Sequence, residues 1–224
     1  MVAVEPPRPP ARSFQPRRRG LPAARAAAFE RDAPRWCLDV FGDPLDLDDV
    51  FGAGARVVLD IGFGGGEGLI DLAAARPDEC IIGVEVHTPG TANVVDAVER
   101  HAWRHVRLVA GDVLDFLPRL ETGSLAGVRV WFPDPWAKRK QQHRRIVRPD
   151  VVAKLVDRLA LGGTVHVATD IADYARQAAA VLDAERRLRG GVVPRPSWRP
   201  VTRFERRGLA EGRTPSDLLY ERIE

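Results

Sequence analysis

The sequence predicts a doubly wound, mostly parallel α/β sheet of seven strands. Three observations predict it. Short, continuous β-branched runs alternate with helical stretches from residue 57 to residue 188, the pattern of a sheet covered on both faces. A turn carrying Gly62, Gly64, Gly65, Gly66 and Gly68 follows the first run. Acids stand at the ends of four successive runs, on the side where open α/β sheets bind ligands.

Each element has its own warrant. Residues 1–24 hold Pro-Pro at 6–7 and 9–10, three arginines at 17–19 and few apolar side chains. They read as a basic, unstructured arm, with residues 25–224 as one domain. Ala26 to Phe41 reads as a helix burying Phe29, Trp36, Leu38 and Phe41, interrupted at Pro34. The loop Gly42-Asp43-Pro44 follows. Val57–Ile61 is the first strand, and the glycine turn leads into a helix through Leu69, Ile70 and Leu72. Cys80–Val86 is strand two, residues 91–103 a helix, and Val106–Val109 strand three, ending at Gly111-Asp112. Residues 125–132 are strand four. Asp150 is placed as the N-cap of a helix carrying Val151, Val152, Leu155, Val156 and Leu159, with Gly162-Gly163 ending it. Thr164–Ala168 is strand five, before a helix over 171–188. The remainder, with Trp198, Phe204 and Leu218-Leu219-Tyr220, reads as a closing pair of strands.

A chain of 224 residues suffices for one such domain. No run approaches the ~18 apolar residues of a membrane span, and the N-terminus lacks the apolar centre of a secretory signal. Cys37 and Cys80 make neither a disulfide framework nor a zinc site. The expectation is a cytoplasmic protein without membrane or metal. The net charge of +3 is unevenly spread: +5 over residues 1–29, +6 over residues 138–149 and −8 over the rest. Basic arms on an acidic body fit a nucleic-acid partner, though for the N-terminal arm a merely solvated surface fits equally.

The chemistry concentrates at Trp131-Phe132-Pro133-Asp134-Pro135-Trp136. An apolar strand ends there in an Asp between two prolines, which stiffen the loop. Lys138, Arg139, Lys140, His143, Arg144 and Arg145 follow. The glycine turn fits neither G-x-G-x-x-G nor GxxxxGK, and its own acids, Asp60 and Glu67, repel phosphate. An adenosine ligand with an amino-acid tail and a positive sulfur, S-adenosylmethionine, suits it; a turn serving only helix packing is the plain alternative. Glu85 is placed to accept ribose hydroxyls, and Asp112 to take an adenine amino group, while each acid alone also fits a turn residue. Trp131 reads as core and Trp136 as a stacking surface. His87 and His166 read as structural or loop-bound.

The sequence resembles the bacterial tRNA guanine-N7 methyltransferase family. The matching pieces are Asp60-Ile61-Gly62-Phe63-Gly64, Gly83-Val84-Glu85-Val86-His87, Phe132-Pro133-Asp134-Pro135-Trp136 with Lys138 and Arg144-Arg145, Ala168-Thr169-Asp170 with Tyr174, and Thr202-Arg203-Phe204-Glu205 with Arg207-Gly208. Arg12-Ser13-Phe14 resembles the family's N-terminal arm. The resemblance implies a class I methyltransferase fold and methyl transfer from S-adenosylmethionine to N7 of a guanine in the tRNA variable loop. It implies cofactor contacts at Asp60, Gly62, Gly64, Glu85, Asp112 and Asp134, with Asp134 also catalytic. It implies substrate contacts at Lys138, Asp170, Thr202, Arg203, Phe204 and Glu205, and RNA contacts at Lys140, His143, Arg144 and Arg145. A monomer or weak homodimer is the expectation for the assembly. The sequence departs from the family at Asp60, where Glu is usual, at Gln141-Gln142, usually richer in His and Lys, and at Arg203, usually Lys. Three readings stand: an RNA methyltransferase, a small-molecule methyltransferase or nicotinamide oxidoreductase, and a non-catalytic RNA-binding module.

Overall fold

Runs of β-branched residues with no polar face need cover on both sides, and the architecture supplies it. The computed structural model describes residues 20–224. Helix α1 (Ala23–Trp36) and the short α2 (Leu47–Phe51) precede β1 (Val57–Ile61). Then come α3 (Glu67–Ala75), β2 (Cys80–Glu85), α4 (Thr88–His101), β3 (Val106–Ala110), α5 (Val113–Phe116) and β4 (Leu125–Trp131). A 3₁₀ turn over Arg139–Arg144 leads to α6 (Pro149–Arg158), β5 (Leu159–Thr169), α7 (Ala172–Ala184), β6 (Leu188–Val193), α8 (Arg203–Ala210) and β7 (Ser216–Arg222).

The seven strands form one sheet in the order β3-β2-β1-β4-β5-β7-β6. β1 to β5 pair in parallel, whereas β7 runs antiparallel to both β5 and β6. The strand order reverses between β1 and β4, so the C-terminal ends of β1, β2, β3 and β4 flank a switch point. Trp36, Leu69, Leu72, Val94 and Val98 form the core with α1, α3 and α4 on one face. Phe116, Val152, Leu155, Tyr174 and Leu182 pack with α5, α6 and α7 on the other. Each such buried apolar side chain contributes about 1.5–3 kcal/mol.

Several expectations are corrected. The arm lies outside the described residues as far as position 19, but residues 23 and 24 already belong to α1. That helix runs through Pro34 and stops at Trp36, where Cys37 bridges to Leu108. Phe41 is consequently exposed, at 71%. Pro149 takes the first position of α6, so the N-cap is Arg148, and Asp150 pairs with the Arg148 side chain instead. Gly162-Gly163 lies in an irregular stretch of β5, where the register against β4 shifts, and not at a helix end. Phe204 lies in a helix, not a strand. No helix among the described residues is long and apolar enough to cross a membrane.

Candidate active site

Parallel pairing brings the strand-end acids together. A cleft of about 250 Å³ opens over the ends of β1 to β4, with Asp60, Gly62, Gly64, Glu85, Asp112 and Asp134 in its wall. Thr202, Arg203 and Phe204, at the start of α8, form its opposite lip.

Glu85 organises the floor. One carboxylate oxygen accepts the Gly64 N–H at 2.7 Å, and the other accepts the N–H groups of Val86 and His87 at 2.7 and 2.8 Å. The side chain thus pins the glycine turn to the end of β2. Gly62 and Gly64 hold φ of +76° and +63°, which other residues adopt only at a cost. A Cβ on Gly62 meets nothing within 4 Å, so the space beside it belongs to the cleft. The turn is braced from behind by α4: the Asn93 amide donates to the Gly65 carbonyl at 2.8 Å, and Gly90 comes so close that its Cβ would stand 1.7 Å from the Gly64 oxygen.

Asp60 is 3% exposed. Burial pushes its carboxyl up to about 6, Arg129 opposing and Glu79 and Glu85 assisting. Arg129 is itself engaged by Glu79 at 2.6 Å, so a cationic ligand group would find Asp60 short of positive charge. Asp112 caps α5 by accepting the Leu114 N–H at 3.0 Å.

Asp134 is exposed at the mouth, on a loop flanked by two left-handed residues, Phe132 at φ +51° and Trp136 at φ +41°. Each costs about 1–3 kcal/mol, held only where its surroundings demand it. Phe132 donates its N–H to the Ala168 carbonyl at 2.7 Å. Trp136 is 5% exposed with the Arg144 guanidinium 3.9 Å from its ring centre, so it is a packing residue and not the free stacking surface expected.

The lip is tied down by a buried ion network. Arg199 grips both Glu205 oxygens at 2.7 and 2.9 Å and reaches Asp217 at 2.7 Å. His166 lies between Asp217, 2.8 Å from Nε2, and Trp131, whose indole N–H points at Nδ1 at 3.1 Å. An indole only donates, so Nδ1 accepts and the proton sits on Nε2. Burial, with help from Arg199 and Arg129, pushes this imidazole towards the neutral form against the pull of Asp217. Burial raises the Asp217 carboxyl, but His166 and Arg199 outweigh it and hold it low.

The structure therefore sorts the expected site residues. Lys138, Lys140 and His143 are exposed on the cationic turn, and Arg144 is half-buried beside them. Arg145 is not available to RNA: its side chain is 1% exposed, inside the protein. Glu205 is likewise not a free ligand, being 1% exposed and held by Arg199 and Arg195. Asp170 lies under α8, bound by Arg213 at 2.6 Å and pressed against Gly208, whose Cβ would come within 2.5 Å of it. Gly90, Asn93, Arg199 and Arg213 were missed by sequence reasoning, because each acts across more than eighteen residues or through a buried partner, and no local spacing marks them.

A family model described as "Putative methyltransferase" matches residues 54–218. The tRNA (guanine-N(7)-)-methyltransferase of Streptomyces avermitilis is 43% identical over 219 residues, covering 95% of this chain and 76% of its own length. That of Nitrosomonas eutropha is 38% identical over 216 residues, covering 95% of this chain and 96% of its own. Among solved structures, the 16S rRNA methyltransferase KamB superposes with a TM-score of 0.59 at 14% identity, covering 82% of this chain and 96% of that one. A 16S rRNA methyltransferase from Catenulisporales acidiphilia, solved with its cosubstrate SAM, gives 0.58 at 18% identity, covering 80% and 92%. At these identities the structural likeness is one of fold, the class I methyltransferase sheet. The chain belongs to the tRNA (guanine-N(7)-)-methyltransferase family.

Proposed function

We propose that the protein transfers a methyl group from S-adenosylmethionine to N7 of a guanine in the variable loop of tRNA. The observation that carries this reading is an acid-walled cleft, unsuited to phosphate, opening beside an exposed cationic turn. The donor set suits the cofactor: Glu85 for ribose hydroxyls, Asp112 for the adenine amino group, and the buried carboxyl of Asp60, whose neighbour Arg129 is already engaged by Glu79, for a cationic group. The open space at Gly62 suits close backbone approach. When bound, S-adenosylmethionine supplies an electrophilic methyl on a positive sulfur.

Guanine N7 has a lone pair and no proton, so no side chain acts as its general base. The work of the protein is alignment and electrostatics. Asp134 accepts hydrogen bonds from guanine N1 and N2, whose protons become more acidic as the purine turns cationic. Its grip therefore tightens towards the transition state. The same contact selects guanine over adenine. Thr202, Arg203 and Phe204 cover the base, which leaves its stack to enter the cleft. Lys138, Lys140, His143 and Arg144 hold phosphates. Incubation of unmodified tRNA with labelled S-adenosylmethionine, then chemical cleavage at N7-methylated guanine, tests the reading. Label with cleavage in the variable loop supports it; label on another atom or base ends it.

A further inference from the structure

We propose that Arg145 is a positioning residue that fixes Asp134 in the cleft, anchored by Asp173 at the start of α7. The proposal rests on the reading of Asp134 as the catalytic group. Beyond Phe132 the loop has no ladder, and Pro133 and Pro135 bring no N–H of their own. Arg145 supplies a side-chain donor to the loop's backbone. Its Nε donates to the Pro135 carbonyl at 2.9 Å, one residue from Asp134. Its other arm donates to Asp173 at 2.8 Å, and its guanidinium lies 4.6 Å from the ring centre of the fully buried Tyr174. Tyr174 in turn accepts the Val147 N–H at 3.3 Å. One planar fork thus joins the carbonyl of the Asp134 loop, the first turn of α7 and the backbone leaving the cationic turn. A lysine offers neither the fork nor the stacking plane. The 1% exposure of the side chain leaves no path to a phosphate, so its charge serves the loop and not RNA.

The test compares Arg145→Lys, Asp173→Ala and Asp134→Ala, with the Asp134→Ala/Arg145→Lys double variant, by steady-state turnover, cofactor calorimetry and tRNA binding across salt. Arg145→Lys is expected to lower kcat by about 10–100-fold, the scale of a small misplacement at a reacting centre. Its tRNA affinity and salt slope stay within about twofold of the parent, because no phosphate contact is lost. Asp173→Ala, altering a side chain that is 56% exposed, shifts kcat in the same direction by less and carries the test if Arg145→Lys does not fold. On the Asp134→Ala background Arg145→Lys changes kcat by less than about twofold, because the residue acts through Asp134. Wild-type kcat in both Arg145→Lys and Asp173→Ala beside an inactive Asp134→Ala overturns the proposal alone. So does a salt slope reduced by about one, the mark of a lost phosphate contact, or a multiplicative loss in the double variant. Wild-type turnover in Asp134→Ala removes the underlying reading and the proposal together.

Discussion

Asp60 carries a carboxyl that burial lifts from an ordinary 3.8 to about 6. An acid raised on folding binds extra protons in the native state between those two values, so stability falls as pH rises through that window and the penalty persists above it. Asp60→Asn should therefore stabilise the ligand-free protein near neutral pH, by about 3 kcal/mol at most, and have little effect near pH 4. Melting temperatures of both proteins across pH read this directly. Calorimetry should also show S-adenosylmethionine binding more tightly from about pH 5 to about pH 7 in the parent, with a flat profile in the variant. Asp134 makes a different demand. Asp134→Ala should cut turnover by about 100-fold or more, as removal of a transition-state contact does, while tRNA affinity barely moves; parallel losses in both would refute the assignment. These acids were legible in the sequence because each lies near the C-terminal end of an apolar strand run or just past it. The inward turn of Arg145 was not, since a run of cations looks the same whether one member faces water or the interior.

Helix α4 and the glycine turn illustrate how elements depend on one another. Gly90 sits where any Cβ would strike the Gly64 carbonyl. Gly90→Ala should push that turn off Glu85, destabilise the fold by about 1–3 kcal/mol and weaken cofactor binding. Gly191→Ala, at a β6 position with no atom near the added carbon, should leave both unchanged; thermal melts and calorimetry compare the two. The parallel strands were readable because burial on both faces leaves a continuous apolar signature. Helix α8 was not, because its buried positions are Glu205 and Gly208: it docks through ion pairs and a close backbone approach, and neither writes an apolar period. Asp150 failed as a cap because Pro149 already fits the first helical position.

Across the molecule, positive charge is concentrated on the turn beside the cleft, against an acidic body. Lys138 and Lys140 are both exposed there. Replacing both by Ala should weaken tRNA binding and reduce the slope of log affinity against log salt by about two, if each holds one phosphate; filter binding across salt concentrations measures it. β7 slots between β5 and β6 and is the partner of both. During synthesis two raw edges must wait for residues 216–222 to emerge before either is sealed. Until then the half-built sheet bares the backbone donors and acceptors of β5 and β6, so an unfinished chain offers its neighbours a ready template for pairing.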